Sequence, residues 1–318
     1  MDQALPQVFL DRLAQIISPD QLDAVRQAFI RRPTTFRVNT IKSNRETLAA
    51  QLSALGFEFQ SVDWCRDAFI LLNKSKQELL DTLPYQNGEL YVQGLSSMVP
   101  PLVLDPQPGE KIGDIAAAPG SKTTQIAAML NNTGEIVAND RSKVRLFKLV
   151  ANLKLQGATN VRTSLAEGEG LWKRFPEYFD KTLVDVPCSL EGRFDVKNPK
   201  SYRDWSVKKV RLLSAHQQHL LRSAVSATRV GGVIVYSTCT LSPEENEQVI
   251  DWLLAKEPGV VEIEAVNLPL QGIQAGMTAW GKRQFATEIA RTLRVIPSTA
   301  MEGFYIAKLR KLRSNLAV

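Results

Sequence analysis

Two cysteines carry the first chemical signal in this sequence. Cys188 stands in "KTLVDVPCSLEG" and Cys239 in "GGVIVYSTCTLSPEENE", each just past a strand-like apolar run. A structural cysteine normally lies inside such a run, as a small buried hydrophobe. Two on turn-like loops at strand ends are placed instead like reactive thiols, which become nucleophiles when ionised. Asp185, upstream of Cys188 on the same loop, adds an acid–base or hydrogen-bonding group. Ser242-Pro243-Glu244-Glu245 reads as a capping box with proline at the first helical position. A helix is therefore expected to begin just after Cys239.

The stretch "IGDIAAAPGSKTTQIAAML", Ile112 to Leu130, has the pattern of a strand end, a glycine turn and a helix start. Its Ser121-Lys122-Thr123 invites comparison with the phosphate loop of nucleotide hydrolases, G-x-x-x-x-G-K-[ST]. Ala116 and Ser121 occupy the two glycine positions, so that assignment fails. A cofactor with a carboxylate and a ribose fits better. Gly120 permits close backbone approach, and the helix N-terminus attracts a carboxylate. Downstream, "EIVAND" ends in Asp140, placed at a second strand end to accept from ribose hydroxyls. S-adenosyl-L-methionine supplies both groups. The plainer role for Asp140 is to cap the helix that follows.

These groups must be positioned by alternating strands and helices. Strand-like runs "KIGDIA", "GEIVAND", "NVRTSL", "KTLVDV" and "GGVIVYST" are separated by helical runs near 121–131, 141–156, 207–229 and 243–256. That order predicts a largely parallel α/β sheet with helices on both faces, and ligands beyond the carboxyl ends of its strands. Residues 1–85 read differently, as N-terminal helices followed by a small β-α-β module. A turn-rich stretch, "DTLPYQNGELYV", marks a boundary near residue 85, leaving 86–318 as the second domain.

Composition sets the class. The chain has 318 residues, 44% of them hydrophobic, and three cysteines. It has no long apolar run and no basic leader beside Asp2, and three cysteines make no disulfide framework. A cytoplasmic monomer without membrane or metal partners is expected. His216 and His219 form H-x-x-H without a third ligand, and Cys65 reads as structural. Net charge is +6, and residues 193–222 alone hold eight basic against two acidic side chains, interleaved with Phe194, Tyr202 and Trp205. Cations neutralise phosphates and rings stack on bases, so this segment reads as a contact for nucleic acid, with a solvated helix face as the alternative.

Taken together, the motifs resemble the Nol1/Nop2/Sun family, the RsmB-like RNA cytosine-5 methyltransferases. "DIAAAPGSKT" is similar to that family's DxCAAPGGKT loop, "DVPCSLEG" to DAPCSGxG, and "YSTCTLSPEENE" to its nucleophile motif. "FRVNTIK", "LYVQGLSSMVPPLVLDPQPGE" and "LRVIPSTAMEGFYIAKLRK" extend the likeness from about residue 33 to residue 312. It implies a Rossmann-like methyltransferase sheet preceded by a small α+β RNA-recognition-like domain. It also implies that Cys239 adds to the base, Cys188 assists proton removal and enzyme release, and Asp185 holds the ring edge. Ala116, Ala117, Ala118, Pro119, Gly120, Ser121 and Lys122 would form the cofactor loop. Asp140, Arg145, Glu167 and Asp185 would complete the cofactor set. Arg37, Asn39 and Lys42 of the N-terminal motif, with Lys208, Lys209 and Arg211, would contact tRNA or rRNA. Departures from the pattern are Ala116, Ser121, Leu190 for glycine, and Glu167 for the usual aspartate. Such changes also suit an RNA-binding assembly factor with a degraded site.

Overall fold

The apolar runs expected as strands pair in parallel in the computed structural model, which describes residues 5–316. Asp2, used in reading the N-terminus, lies outside the described residues. The chain begins with α1 (Gln7–Ile16), α2 (Pro19–Gln27), β1 (Thr35–Val38), α3 (Arg45–Ala54), β2 (Phe59–Val62) and β3 (Cys65–Leu71). Next come α4 (Lys76–Leu80), α5 (Leu83–Gln86) and β4 (Leu90–Val92). These four strands form an antiparallel sheet in the order β2-β3-β1-β4. Leu48 and Leu52 of α3 bury against Phe36, Phe69 and Leu71.

Two expectations about this region are corrected. Because β4 pairs with β1, the small sheet closes at Val92, and the turn near residue 85 only leads into its last strand. The N-terminal helices belong elsewhere: Phe9, Leu13 and Phe29 pack with Phe194, Tyr202, Leu241 and Ile296 of the larger domain.

That domain contains α6 (Leu95–Leu104), β5 (Lys111–Asp114), α7 (Ser121–Met129), β6 (Glu135–Asp140), α8 (Lys143–Gln156), β7 (Val161–Leu165) and β8 (Phe179–Asp185). Then follow α9 (Val207–Ala227), β9 (Thr228–Thr238), α10 (Glu247–Lys256), β10 (Val261–Glu264), β11 (Ile273–Ala275), β12 (Ala279–Trp280), β13 (Arg283–Gln284), β14 (Leu293–Val295) and β15 (Phe304–Lys311). Among the described residues the main sheet runs β11-β14-β15-β9-β8-β5-β6-β7, with β10 also on β15. β5 to β9 are parallel, and β15 joins β9 antiparallel.

One sheet face packs on α6, α7 and α8, through Met98, Val99, Ile126 and Leu149 among others. The other packs on α9 and α10, through Leu220, Leu221, Val249 and Ile250. Strand order reverses direction between β5 and β8, which opens a crevice at their carboxyl ends. Asp114, Asp140, Asp185 and Thr238 end the strands around that crevice.

Candidate active site

Cys188 and Cys239 meet in the crevice, with their sulfurs 3.2 Å apart and both thiols free. Each loop is fixed by the other. Gly192 N donates to Cys239 O, while Ser189 Oγ contacts Thr240 Oγ1 at 2.7 Å. Glu191, itself buried, accepts from Thr240 Oγ1, Leu241 N, Ser242 Oγ and Trp205 Nε1, so one carboxylate ties both loops together. A Cβ on Gly192 would lie 2.0 Å from Gly303 O, which is why the chain needs glycine at this crossing.

Cys188 is the more buried thiol. Its contact with Cys239 and its burial raise its pKa well above the usual thiol value. Cys239 is part-exposed toward a cleft of about 490 Å³. Asp185 enters the same cleft from β8, accepting from Lys122 Nζ at 2.6 Å and Ser237 Oγ at 2.8 Å. Lys122 also donates to Ser97 Oγ. Its ammonium thus orients Asp185 while lining the cleft. Arg193 lies at the mouth of the cleft, paired with Glu302 at 3.1 Å.

The cleft continues into a narrower recess through shared walls at Ala116, Arg145 and Pro187. Asp140 lines this recess. Its carboxylate accepts from Ala118 N and Ser142 N, and Arg145 approaches it at 3.4 Å while donating to Ala118 O. The cap of α8 is Ser142, which accepts from Arg145 N, so Asp140 is not the capping residue. Ala118, Pro119 and Ser121 line the cleft, whereas Ala117 and Gly120 shape the turn from behind. Gly120 has φ +104°, and a Cβ there would meet Leu149 Cδ1 at 2.7 Å.

Glu167 is exposed and does not line the recess; Gly168 and Glu169 do. Glu169, which sequence reasoning missed by two positions, pairs with His216 Nδ1 at 2.8 Å. Asn139 was missed too. Asn139 Oδ1 and Glu169 Oε2 are buried acceptors with no protein partner, and both residues line the recess. Unpaired buried acceptors are costly, and donors such as ribose hydroxyls or an exocyclic amine would satisfy them. These acceptors therefore fit S-adenosylmethionine, and the first-turn amides of α7 suit its carboxylate.

Several other expectations fail on burial. Arg37 is buried and donates to Gln93 Oε1 and Thr124 Oγ1. Asn39, fully buried, donates to Gly88 O and Gln156 O. Both residues join the small domain to the larger one and cannot reach RNA; Lys42 stays exposed. Phe194 and Trp205 pack with Phe9 and each other, and Tyr202 with Phe194, in tilted or edge-on pairs, not outward for bases. Lys208, Lys209 and Arg211 are exposed at the start of α9. The capping box does not form: Glu245 points to Ser189 N and Gln217, and α10 starts only at Glu247. Leu190 adopts φ +64° at the cleft wall, a left-handed conformation suited to the glycine of the resembling motif. His219 packs on Trp252, away from His216's partner, and no metal-binding cluster occurs among the described residues. No helix among them is long and apolar enough to cross a membrane.

Comparison with known proteins agrees with this geometry. Residues 101–310 match the model for 16S rRNA methyltransferase RsmB/F, and residues 5–94 match the N-terminal domain of 16S rRNA methyltransferase RsmF. A tRNA (cytosine(49)-C(5))-methyltransferase of Pyrococcus abyssi is 39% identical, covering 88% of each chain. Ribosomal RNA small subunit methyltransferase F of Pectobacterium atrosepticum is 38% identical over 98% of this chain, which spans only 63% of that relative's length. The crystal structure of a methyltransferase homolog protein from Pyrococcus horikoshii superposes with a TM-score of 0.84 at 32% identity, covering 98% of this chain and 96% of that one. The sheet is thus the Rossmann-like one of these methyltransferases, and the chain belongs to the 16S rRNA methyltransferase RsmB/F family.

Proposed function

We propose that this chain methylates C5 of a cytosine in RNA through a covalent cysteine adduct. The observation that carries the reading is the pair of touching thiols beside Asp185, in a cleft continuous with the Asp140 recess. Cytosine C5 is a poor nucleophile. Addition of the Cys239 thiolate to C6 makes C5 enamine-like and able to accept a methyl cation equivalent. Bound S-adenosylmethionine supplies that electrophilic methyl group. Asp185, oriented by Lys122 and Ser237, would hold the N3/N4 edge and stabilise the adduct. Once C5 is methylated, the C5 proton would leave to a base in the cleft, with Cys188, against the Cys239 sulfur, assisting its removal and the release of the enzyme. The C6–S bond then breaks, its electrons return to Cys239, and the C5=C6 double bond re-forms.

The base has to leave its stack to reach this cleft, so RNA must be gripped around it. Lys42, Lys208, Lys209 and Arg211 are exposed candidates for phosphate contacts. The assembly-factor reading is not favoured, because both thiols, Asp185 and the recess acceptors remain assembled. Curated relatives are named for tRNA cytosine 49 and for small-subunit ribosomal RNA. Bisulfite sequencing of RNA from cells with and without this protein tests the proposal and identifies the target. Loss of a 5-methylcytosine signal is expected in its absence; an unchanged pattern, with the purified protein also inert on that RNA, would refute it.

A further inference from the structure

Residues 141–166 carry six basic side chains and no acidic one: Arg141, Lys143, Arg145, Lys148, Lys154 and Arg162. Among the described residues only Arg145 and Arg162 of these pair with a carboxylate, Asp140 and Glu135. Most of the stretch is α8, whose buried residues are only Leu149, Leu153 and Gln156. Its outer face is therefore unusually bare. Val144 is 69% and Phe147 65% exposed. By helical spacing Val144, Phe147, Lys148, Ala151 and Lys154 share that face. Apolar side chains interleaved with unpaired cations suit a partner that is both anionic and planar.

The position of the strip adds a second observation. Its first turn supplies Arg145 to the wall of the catalytic cleft. Midway, Asn152 Nδ2 donates to Tyr91 Oη, and Tyr91 lines the same cleft. At the far end, a Cβ on Gly157 would lie 3.0 Å from Lys42 Cε, so the exposed Lys42 extends the line of charge. A continuous basic track thus leads from the cleft along α8 to the small domain.

Resting on the reading that the substrate is RNA, we propose that the outer face of α8 is an RNA-docking surface. Phosphates outside the target nucleotide lie on Lys143, Lys148 and Lys154, and a base stacks on Phe147. None of these four residues lines the cleft or the recess. Their substitution therefore separates docking from cofactor binding.

The test uses the full chain, unfractionated tRNA as probe, and fluorescence anisotropy over a salt series. In the triple variant Lys143→Gln/Lys148→Gln/Lys154→Gln, the log–log salt slope should shrink by about 2, since each phosphate contact contributes roughly 0.7–0.9. Phe147→Ala should weaken binding about tenfold without changing the slope, because stacking carries no counterion release. Cofactor affinity and melting temperature should stay at wild-type values. If the triple variant melts early, Lys148→Gln alone should still lower the slope by just under about one. Wild-type slope and affinity in correctly folded variants would overturn the proposal. So would α8-dependent binding of phosphatidylserine vesicles with tRNA binding unaffected, which would make the partner a membrane. Because the readout is binding, an enzyme that binds tRNA but methylates nothing refutes only the catalytic reading.

Discussion

At the residue scale the two thiols differ in surroundings more than in kind. Cys188 is buried and holds its proton tightly against Cys239, which faces the cleft. We expect Cys239→Ala to form neither product nor adduct. Cys188→Ala should still attack and methylate, then stall, leaving a protein–RNA band on denaturing gels. Trapping by Cys239→Ala alone would reverse these roles. A second carboxyl behind the site offers a pH signature. Burial raises the pKa of Glu245 from 4.5 to about 8. The unfolded chain loses this proton near 4.5 while the folded one keeps it to about 8, so folding becomes less favourable as pH rises through that window, by at most about 1.4 kcal/mol per pH unit. Glu245→Gln should therefore gain stability relative to wild type between pH 5 and pH 8 in urea melts. Parallel pH dependence of the two proteins would show that Glu245 is ionised in the fold. The sequence made Cys188, Cys239, Asp185 and Asp140 legible because strand ends converge in this architecture. Glu169 and Asn139 were not, since which of several neighbouring polar residues turns inward depends on packing against α9.

At the scale of elements, the parallel strands were readable from their apolar runs, whereas α6 and the antiparallel edge were not. Pro100 and Pro101 sit inside α6 and mask its helical pattern, yet eight of its ten residues are buried. β15 carries Lys308, Arg310 and Lys311, charges that break a strand-like run until Glu264 and Glu177 are seen to pair with them. The loops around the thiols depend most on Glu191, whose four donors come from two different segments, Thr240 to Ser242 and Trp205. Glu191→Ala would leave those donors buried without an acceptor, at a cost on the order of 3–5 kcal/mol. We expect a lower unfolding midpoint and a large fall in kcat. An unchanged midpoint would mean that water or another group replaces the carboxylate.

For the whole molecule, the small domain is tied down by buried polar contacts. Arg37 bonds Thr124 on α7, and Asn39 bonds Gln156 at the end of α8. Arg37→Ala should lower the melting temperature and leave the salt slope of RNA binding unchanged. A flattened slope at constant stability would restore Arg37 as an RNA contact. Nothing in the local sequence distinguishes a buried interdomain arginine from a surface one; only the docking of the two sheets does. The packing of α1 on the catalytic body has a consequence in time. These helices leave the ribosome early, but Phe194, Trp205, Leu241 and Ile296, which cover Phe9 and Phe29, are made much later. During synthesis the N-terminal segment must therefore wait with its aromatic face uncovered, open to chaperones or to other nascent chains. Its burial can come only after residues 194–296 have been made.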